Sequence, residues 1–170
     1  MVRYLYLLRH AKSSWDHPRL EDHDRPLAPR GKRAMKAMAR HLRKADIHPD
    51  LVLCSSAARA RQTLDRVLPA LDSSVAYEVE DALYTFDDDT VLRRLRDVPA
   101  TVSSILIVGH NPAMQDLALR LAGRGDDLDR VRSKFPTGAL ATLRIPRATW
   151  RGLRPGSAEL VSLVTPKDLA

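Results

Sequence analysis

The stretch Val2-Arg3-Tyr4-Leu5-Tyr6-Leu7-Leu8-Arg9-His10 decides the reading of the fold. Residues 2–8 are aliphatic, aromatic and β-branched in near-continuous succession, which reads as a strand buried on both faces. An Arg-His pair arrives where that strand should end. In open α/β sheets ligands bind in the crevice outside the carboxyl ends of the strands. A guanidinium and an imidazole placed there suit an anionic substrate and nucleophilic or acid–base chemistry.

Working outward, strand-like and helix-like segments alternate. A polar loop, 12–24, leads through Pro26-Leu27-Ala28-Pro29-Arg30-Gly31 into a helix over 32–44, with Ala34, Met35, Met38, Ala39 and Leu42 at helical spacing. A short buried strand, 51–54, is followed by Ser55-Ser56, residues suited to capping a helix over 57–71. Residues 75–79 read as a further strand, and the loop 84–89 caps a helix over 90–96. Residues 105–108 form the clearest strand. Asn111 and Pro112 then suit the cap and first position of a helix reaching 121. Residues 123–130 read as a polar loop, and the tail carries strand signals at 139–143 and 159–164, expected to add an antiparallel edge. The alternation predicts an α/β fold: a three-layer α/β/α sandwich with a mostly parallel central sheet. A chain of 170 residues with no linker-like interruption is expected to form one domain over 1–170.

Composition narrows the function classes. Hydrophobic content of 44% and charged content of 29% are ordinary for a water-soluble domain. Arg3, Arg9 and His10 interrupt the first apolar run, which therefore does not read as a signal peptide, and no run is long enough to span a bilayer. The single cysteine, Cys54, fits a reducing compartment, so a cytoplasmic location is expected. The net charge is +7, carried by 22 Arg and 6 Lys. Without interleaved aromatics or a reading motif this basic excess implies no nucleic-acid partner. Neither a membrane nor a permanent partner subunit is implied, and a monomer is the default expectation.

Three strand-to-helix junctions carry chemistry: Arg9-His10, then Ser55-Ser56-Ala57-Ala58-Arg59-Ala60-Arg61-Gln62-Thr63, then Gly109-His110-Asn111-Pro112. In a parallel sheet all three share one rim. The pocket would hold two imidazoles and at least two guanidiniums, near helix N-termini that favour anions. That set suits phosphoryl transfer without a metal or other cofactor: Arg9 and Arg59 clamp phosphate oxygens, one neutral histidine attacks phosphorus, and the other, as imidazolium, binds an oxygen. Rival constellations fit poorly. Cysteine-dependent chemistry wants five residues between Cys and Arg, but four residues separate Cys54 from Arg59 and six separate it from Arg61, so it reads as a buried hydrophobe. A zinc site built from His10, His17, His23 and His110 lacks ligand-type spacing. A phospho-ligand binding module without turnover would need the arginines but not His10.

Taken in order, these motifs resemble the histidine phosphatase superfamily, with its phosphoglycerate-mutase-like fold, and most closely its SixA-like phosphohistidine phosphatase branch. The resemblance rests on Leu8-Arg9-His10-Ala11-Lys12-Ser13, Asp24-Arg25-Pro26-Leu27 with Arg30-Gly31, Ser55 to Thr63, Val108-Gly109-His110-Asn111-Pro112, Phe135-Pro136-Thr137-Gly138 and Thr165-Pro166-Lys167. It implies His10 as nucleophile, with Arg9, Arg59 and His110 completing the phosphate pocket. Arg25 would reach the phosphate or the substrate beside it, or else form a salt bridge with Asp22 or Asp24. The substrate implied is phosphohistidine on a protein, the alternatives being small phosphate esters or nucleotides. Larger relatives supply a glutamate as general acid. Glu80 and Asp81 occupy the corresponding region here, and Asp16 stands where those relatives place a phosphate-touching asparagine. Asp16 and Glu80 are the candidate proton donors.

Overall fold

The opening strand, β1 (Arg3–Arg9), lies near the middle of a seven-stranded sheet, and Arg9 is its last residue. The computed structural model describes residues 1–146 and 148–170. In chain order the remaining elements are α1 (Pro29–Lys44), β2 (Leu51–Ser55), α2 (Ala58–Val67), β3 (Ala76–Glu80), α3 (Asp88–Arg96), β4 (Ser104–Gly109), α4 (Ala113–Leu121), β5 (Ala122–Arg124), α5 (Leu128–Ser133), β6 (Leu140–Ile145) and β7 (Ala158–Val164). Short 3-10 turns at Asp22–Asp24, Leu68–Ala70, Asp81–Leu83 and Pro166–Leu169 join or end them.

The sheet order is β3-β2-β4-β1-β6-β7-β5. Its pairings are parallel except for β6, which runs antiparallel to both β1 and β7. The tail therefore does not add an antiparallel edge. Its antiparallel strand sits inside the sheet, because Leu140, Ala141 and Leu143 are too apolar to leave at a rim and are buried beside β1.

Alternate residues of the central strands feed two cores. Leu5 and Leu7 face α3, α4 and α5, with Leu95, Met114, Leu117 and Val131 packed alongside Phe135 and Trp150. Tyr6 and Leu8 face α1 and α2, with Met35, Met38, Leu42 and Leu64. Helices thus cover both faces, as expected from strands without polar alternation. Two elements escaped the sequence reading. β5 and α5 fall largely in the segment read as a polar loop, because a three-residue strand and a six-residue helix with one buried residue, Val131, carry no usable period.

Register places the chemistry. β1, β4 and β2 are neighbours, with Leu8 opposite Val108, Arg9 opposite Gly109, and Cys54 opposite Val108. Arg9-His10, Ser55 and Gly109-His110 therefore emerge side by side at one rim.

Candidate active site

His10 follows β1 directly and is 7% exposed. Its backbone is tied down from both sides: His10 N donates to the Gly109 carbonyl at 3.0 Å, and Gly138 N donates to the His10 carbonyl at 3.0 Å. Gly138 adopts φ of +76°, a conformation that favours glycine at this crossing. The ring is oriented by Nδ1, 2.8 Å from the Ala11 carbonyl. A carbonyl only accepts, so Nδ1 carries the proton and Nε2 keeps its lone pair. Arg59 Nε points at that lone pair from 3.3 Å. Burial pushes the His10 pKa down to about 3. The Ala11 bond opposes that shift, while His110, Arg59 and Arg9 reinforce it. Near neutral pH His10 is an uncharged imidazole whose unprotonated Nε2 faces Arg59 Nε.

His110 comes from the end of β4, its ring centroid 5.2 Å from that of His10. Ser55 Oγ is hydrogen-bonded to His110 Nε2 at 2.7 Å and also accepts from Ala57 N at 3.2 Å. Contrary to expectation, neither Ser55 nor Ser56 caps α2: the N-cap is Ala57, without a side-chain cap bond, and Ser55 supports Ala57 N and a histidine instead. Burial lowers the His110 pKa to about 4, and Arg59 adds to the effect. Tyr84 and Phe86 stand edge-on to its ring at 5.4 and 5.7 Å, forming one wall. Asn111 does not take the cap position before a first-turn proline. The helix begins one residue later, with Pro112 as its cap, and Asn111 Oδ1 accepts from Gln115 N at 3.1 Å.

Arg9 and Arg59 flank the histidines. Arg9 donates to the Phe135 carbonyl at 2.8 Å, and its pKa is lowered by burial and by Arg59. Three buried side-chain nitrogens have no hydrogen-bond partner among the described residues: Arg9 Nε, His110 Nδ1 and, at the other end of β1, Arg3 Nε. Two of the three thus lie in this pocket. Buried polar nitrogens without partners are costly, and the oxygens of a tetrahedral anion would give partners to Arg9 Nε and, once protonated, to His110 Nδ1.

The structure adds a residue that the sequence reading gave no role at the pocket. The Asp22 carboxylate accepts from Arg59 Nη2 at 2.9 Å and from the Tyr84 hydroxyl, while the Asp22 carbonyl accepts from Arg59 Nη1 at 2.7 Å. Burial alone would raise the Asp22 pKa, but its bonds to Tyr84 and Arg59 outweigh burial and bring it to about 2. The available signal was its spacing from Arg25, and that contact exists too, at 3.3 Å. Arg25 also donates to Ser13 Oγ at 2.9 Å and the Ser14 carbonyl at 3.1 Å, and lies 3.5 Å above the Trp15 ring centroid. Arg25 thus anchors the loop between β1 and α1 and takes the salt bridge weighed as its alternative role.

Gln62 and Thr63 brace the same region. Thr63 Oγ1 accepts from Ala11 N at 2.9 Å, and Gln62 Oε1 from Leu27 N at 2.8 Å. Gly31 lies so close to the loop that a Cβ there would sit 2.2 Å from the Lys12 carbonyl oxygen.

The two candidate proton donors are not gathered in. Glu80 is held by Arg94 at 2.8 and 2.9 Å, which pulls its pKa down. Asp16 is exposed in the loop, and no ion pair joins it to an arginine among the described residues. Cys54 is fully buried, and burial pushes its thiol up to about 12. No group of three His, Cys, Asp or Glu side chains among the described residues could hold a metal ion.

The structure brings His10, His110, Arg9 and Arg59 together beside the ends of three neighbouring strands. The family model of the histidine phosphatase superfamily (branch 1) matches residues 5–87. An uncharacterised protein of Mycobacterium leprae is 39% identical over 94% of this chain and 100% of its own length. The chain belongs to the histidine phosphatase superfamily. Solved structures agree along its whole length. A candidate phosphohistidine phosphatase SixA from Nakamurella multipartitia is 32% identical, with a TM-score of 0.82 over 98% of this chain and 97% of that one. Its counterpart from Agrobacterium tumefaciens is 31% identical, with a TM-score of 0.81 over 96% and 98%. This histidine phosphatase has the phosphoglycerate-mutase-like fold in its SixA-like form and is a phosphate hydrolase.

Proposed function

We propose that this phosphatase hydrolyses phosphohistidine on a protein, acting as one domain over residues 1–170 in the cytoplasm, as a monomer and without a metal. In the first step His10 Nε2 attacks phosphorus, the P–N bond to a substrate imidazole that solvent has protonated at its other ring nitrogen breaks, the imidazole leaves neutral, and the phosphoryl group is left on His10. Arg9 and Arg59 hold its oxygens. His110, neutral in the free protein, takes up a proton beside the dianion and donates to an oxygen. Water then attacks phosphorus, the His10–phosphorus bond breaks, and inorganic phosphate leaves with His10 restored as the free base.

One observation carries the choice of substrate. Asp22, the carboxylate that contacts the pocket, is held as an anion with a pKa of about 2, and Glu80, one of the two expected donors, is held against Arg94 outside the pocket. Neither is poised to protonate an alkoxide near neutral pH. An imidazole leaving group needs far less protonation than an alkoxide, so a site without a strong acid suits a phosphoramidate. The similarity to candidate SixA phosphohistidine phosphatases supports the same reading.

A substrate panel tests it. The kcat/KM for a phosphohistidine protein should exceed that for sugar phosphates and nucleotides by at least about tenfold, which corresponds to ~1.4 kcal/mol. Equal rates on alkyl monoesters would overturn the substrate assignment. His10→Ala should abolish turnover while keeping the fold, and acid-labile phosphate should be trapped on the wild type but not on the variant. Full activity in His10→Ala would overturn the nucleophile assignment.

A further inference from the structure

Beside the catalytic pocket lies a second concavity of about 820 Å3, lined by Arg9 but not by His10, Arg59 or His110. Its lining carries Lys12, Arg30, Arg130, Lys134 and Lys167 in addition to Arg9, and a single acid, Asp129. Asp129 is already paired with Arg132 at 2.8 Å, and Arg130 with Asp168 at 2.9 Å. Lys12, Arg30, Lys134 and Lys167 are exposed and enter no ion pair among the described residues. The cleft therefore presents four uncompensated cations next to a phosphate-pocket arginine.

The cations sit on firm supports. Ala28 N donates to the Lys12 carbonyl at 2.9 Å, and Gly31 packs on that carbonyl, which fixes Lys12 and Arg30 to one wall. A capping box formed by Thr165 and Asp168 holds the turn bearing Lys167. Lys134 directly follows α5, which Arg130 ties to β7 through the Leu163 carbonyl at 3.1 Å. Ala34, Pro136 and Pro166 contribute apolar lining among these charges. A compact anion would engage one wall. Cations carried by four separate elements, with apolar surface in the same cleft, match a polypeptide whose carboxylates alternate with apolar side chains.

We propose that this cleft docks an acidic segment of the phosphorylated partner protein, lying beside Arg9 while the phosphorylated side chain enters the His10 pocket. The identity of the segment's parent rests on the protein-substrate reading above. The docking itself is measured without turnover.

The probe is a fluorescein-labelled hexapeptide of alternating glutamate and leucine, titrated by fluorescence anisotropy against the full chain at ~0.1 M salt. Lys134→Glu/Lys167→Glu should weaken binding by about tenfold or more. The control, Lys36→Glu/Arg40→Glu, reverses two exposed α1 charges outside the cleft and changes the net charge equally. It should weaken binding by less than about threefold. Both variants should keep the wild-type kcat/KM on p-nitrophenyl phosphate. Equal weakening in the two variants, or no peptide binding at all, would overturn the docking site. So would a cleft variant that loses affinity for pyrophosphate but not for the peptide, which would assign the cleft to compact anions. Absence of aryl phosphate turnover in the wild type would count against the catalytic reading and leave the peptide result standing.

Discussion

Moving this protein from pH 7 to pH 5 should remove about 4 kcal/mol of stability, with His10 and His110 as the source. Burial takes His10 from 6.5 to about 3 and His110 from 6.5 to about 4. The two residues are 7% and 1% exposed, so solvent screening discounts little of the effect. In the folded protein both stay neutral at pH 5. In the unfolded chain both titrate near 6.5 and are protonated there. The unfolded state then binds more protons, so stability falls as pH drops below 6.5 and levels off only near the folded values. At ~1.36 kcal/mol per pKa unit, each histidine contributes about 2 kcal/mol over this interval. Asp22 has the opposite sign and a lower window. Its contribution is present above 3.8 and is lost as pH falls through about 2, so it does not interfere.

Urea unfolding at the two pH values, at constant ionic strength, measures the loss. The informative comparison is His10→Asn/His110→Gln. The asparagine amide keeps a donor for the Ala11 carbonyl, and the glutamine amide reaches towards Ser55. The double variant should lose about 4 kcal/mol less than the wild type on acidification. Equal losses in the two proteins would refute the argument that these imidazoles are held neutral by burial. Saturating inorganic phosphate should shrink the wild-type loss, because a bound anion favours the protonated rings.

Thr63→Val leaves the buried Ala11 amide without its acceptor and should cost about 1–3 kcal/mol in urea unfolding, with a raised KM as the loop after β1 loosens. Cys54→Ala should keep kcat/KM within about twofold while costing ~1 kcal/mol for the small cavity, and iodoacetamide should leave the wild type active, since the thiol is held near 12. Asp22→Asn removes a carboxylate that shares Arg59 with the incoming phosphate. Inhibition by tungstate should tighten by about threefold or more, and unchanged inhibition would show that Asp22 does not compete for that guanidinium.

The pocket was legible in the sequence because its members end a buried strand or lie within a few residues after one. Runs such as Ile105-Leu106-Ile107-Val108 leave no polar alternation, so the junction that follows them is easy to place. Boundaries moved where side chains took a second task. Ser55 reads as a helix cap but ends β2 and bonds His110, and Pro29 opens α1 three residues earlier than apolar spacing indicates. The place of β6 was not legible, since strand order is decided by which apolar faces meet and not by local pattern. Nor was the role of Asp22. It lies 37 positions from Arg59, in a loop without periodicity, and its spacing from Arg25 points to a local salt bridge but not to Arg59.

The low histidine pKa values and the orphaned donors have one origin. Two guanidiniums and two imidazoles are buried together, and the carboxylate paired with them among the described residues, Asp22, is bonded to Arg59 and not to Arg9. Like charges in a desolvated space repel, so the titratable members respond by staying neutral. That arrangement costs stability in the free protein. It also places an uncharged nucleophile next to fixed cations, which a surface histidine could not maintain through its ordinary titration range. A phosphoryl dianion reverses each penalty. It gives Arg9 Nε and His110 Nδ1 acceptors, it offsets the repulsion between Arg9 and Arg59, and it draws a proton onto His110 where charge develops. The groups that destabilise the empty pocket are thus the ones that bind the transferring group, so stability under acid and affinity for oxyanions should change in opposite directions in variants of these four residues.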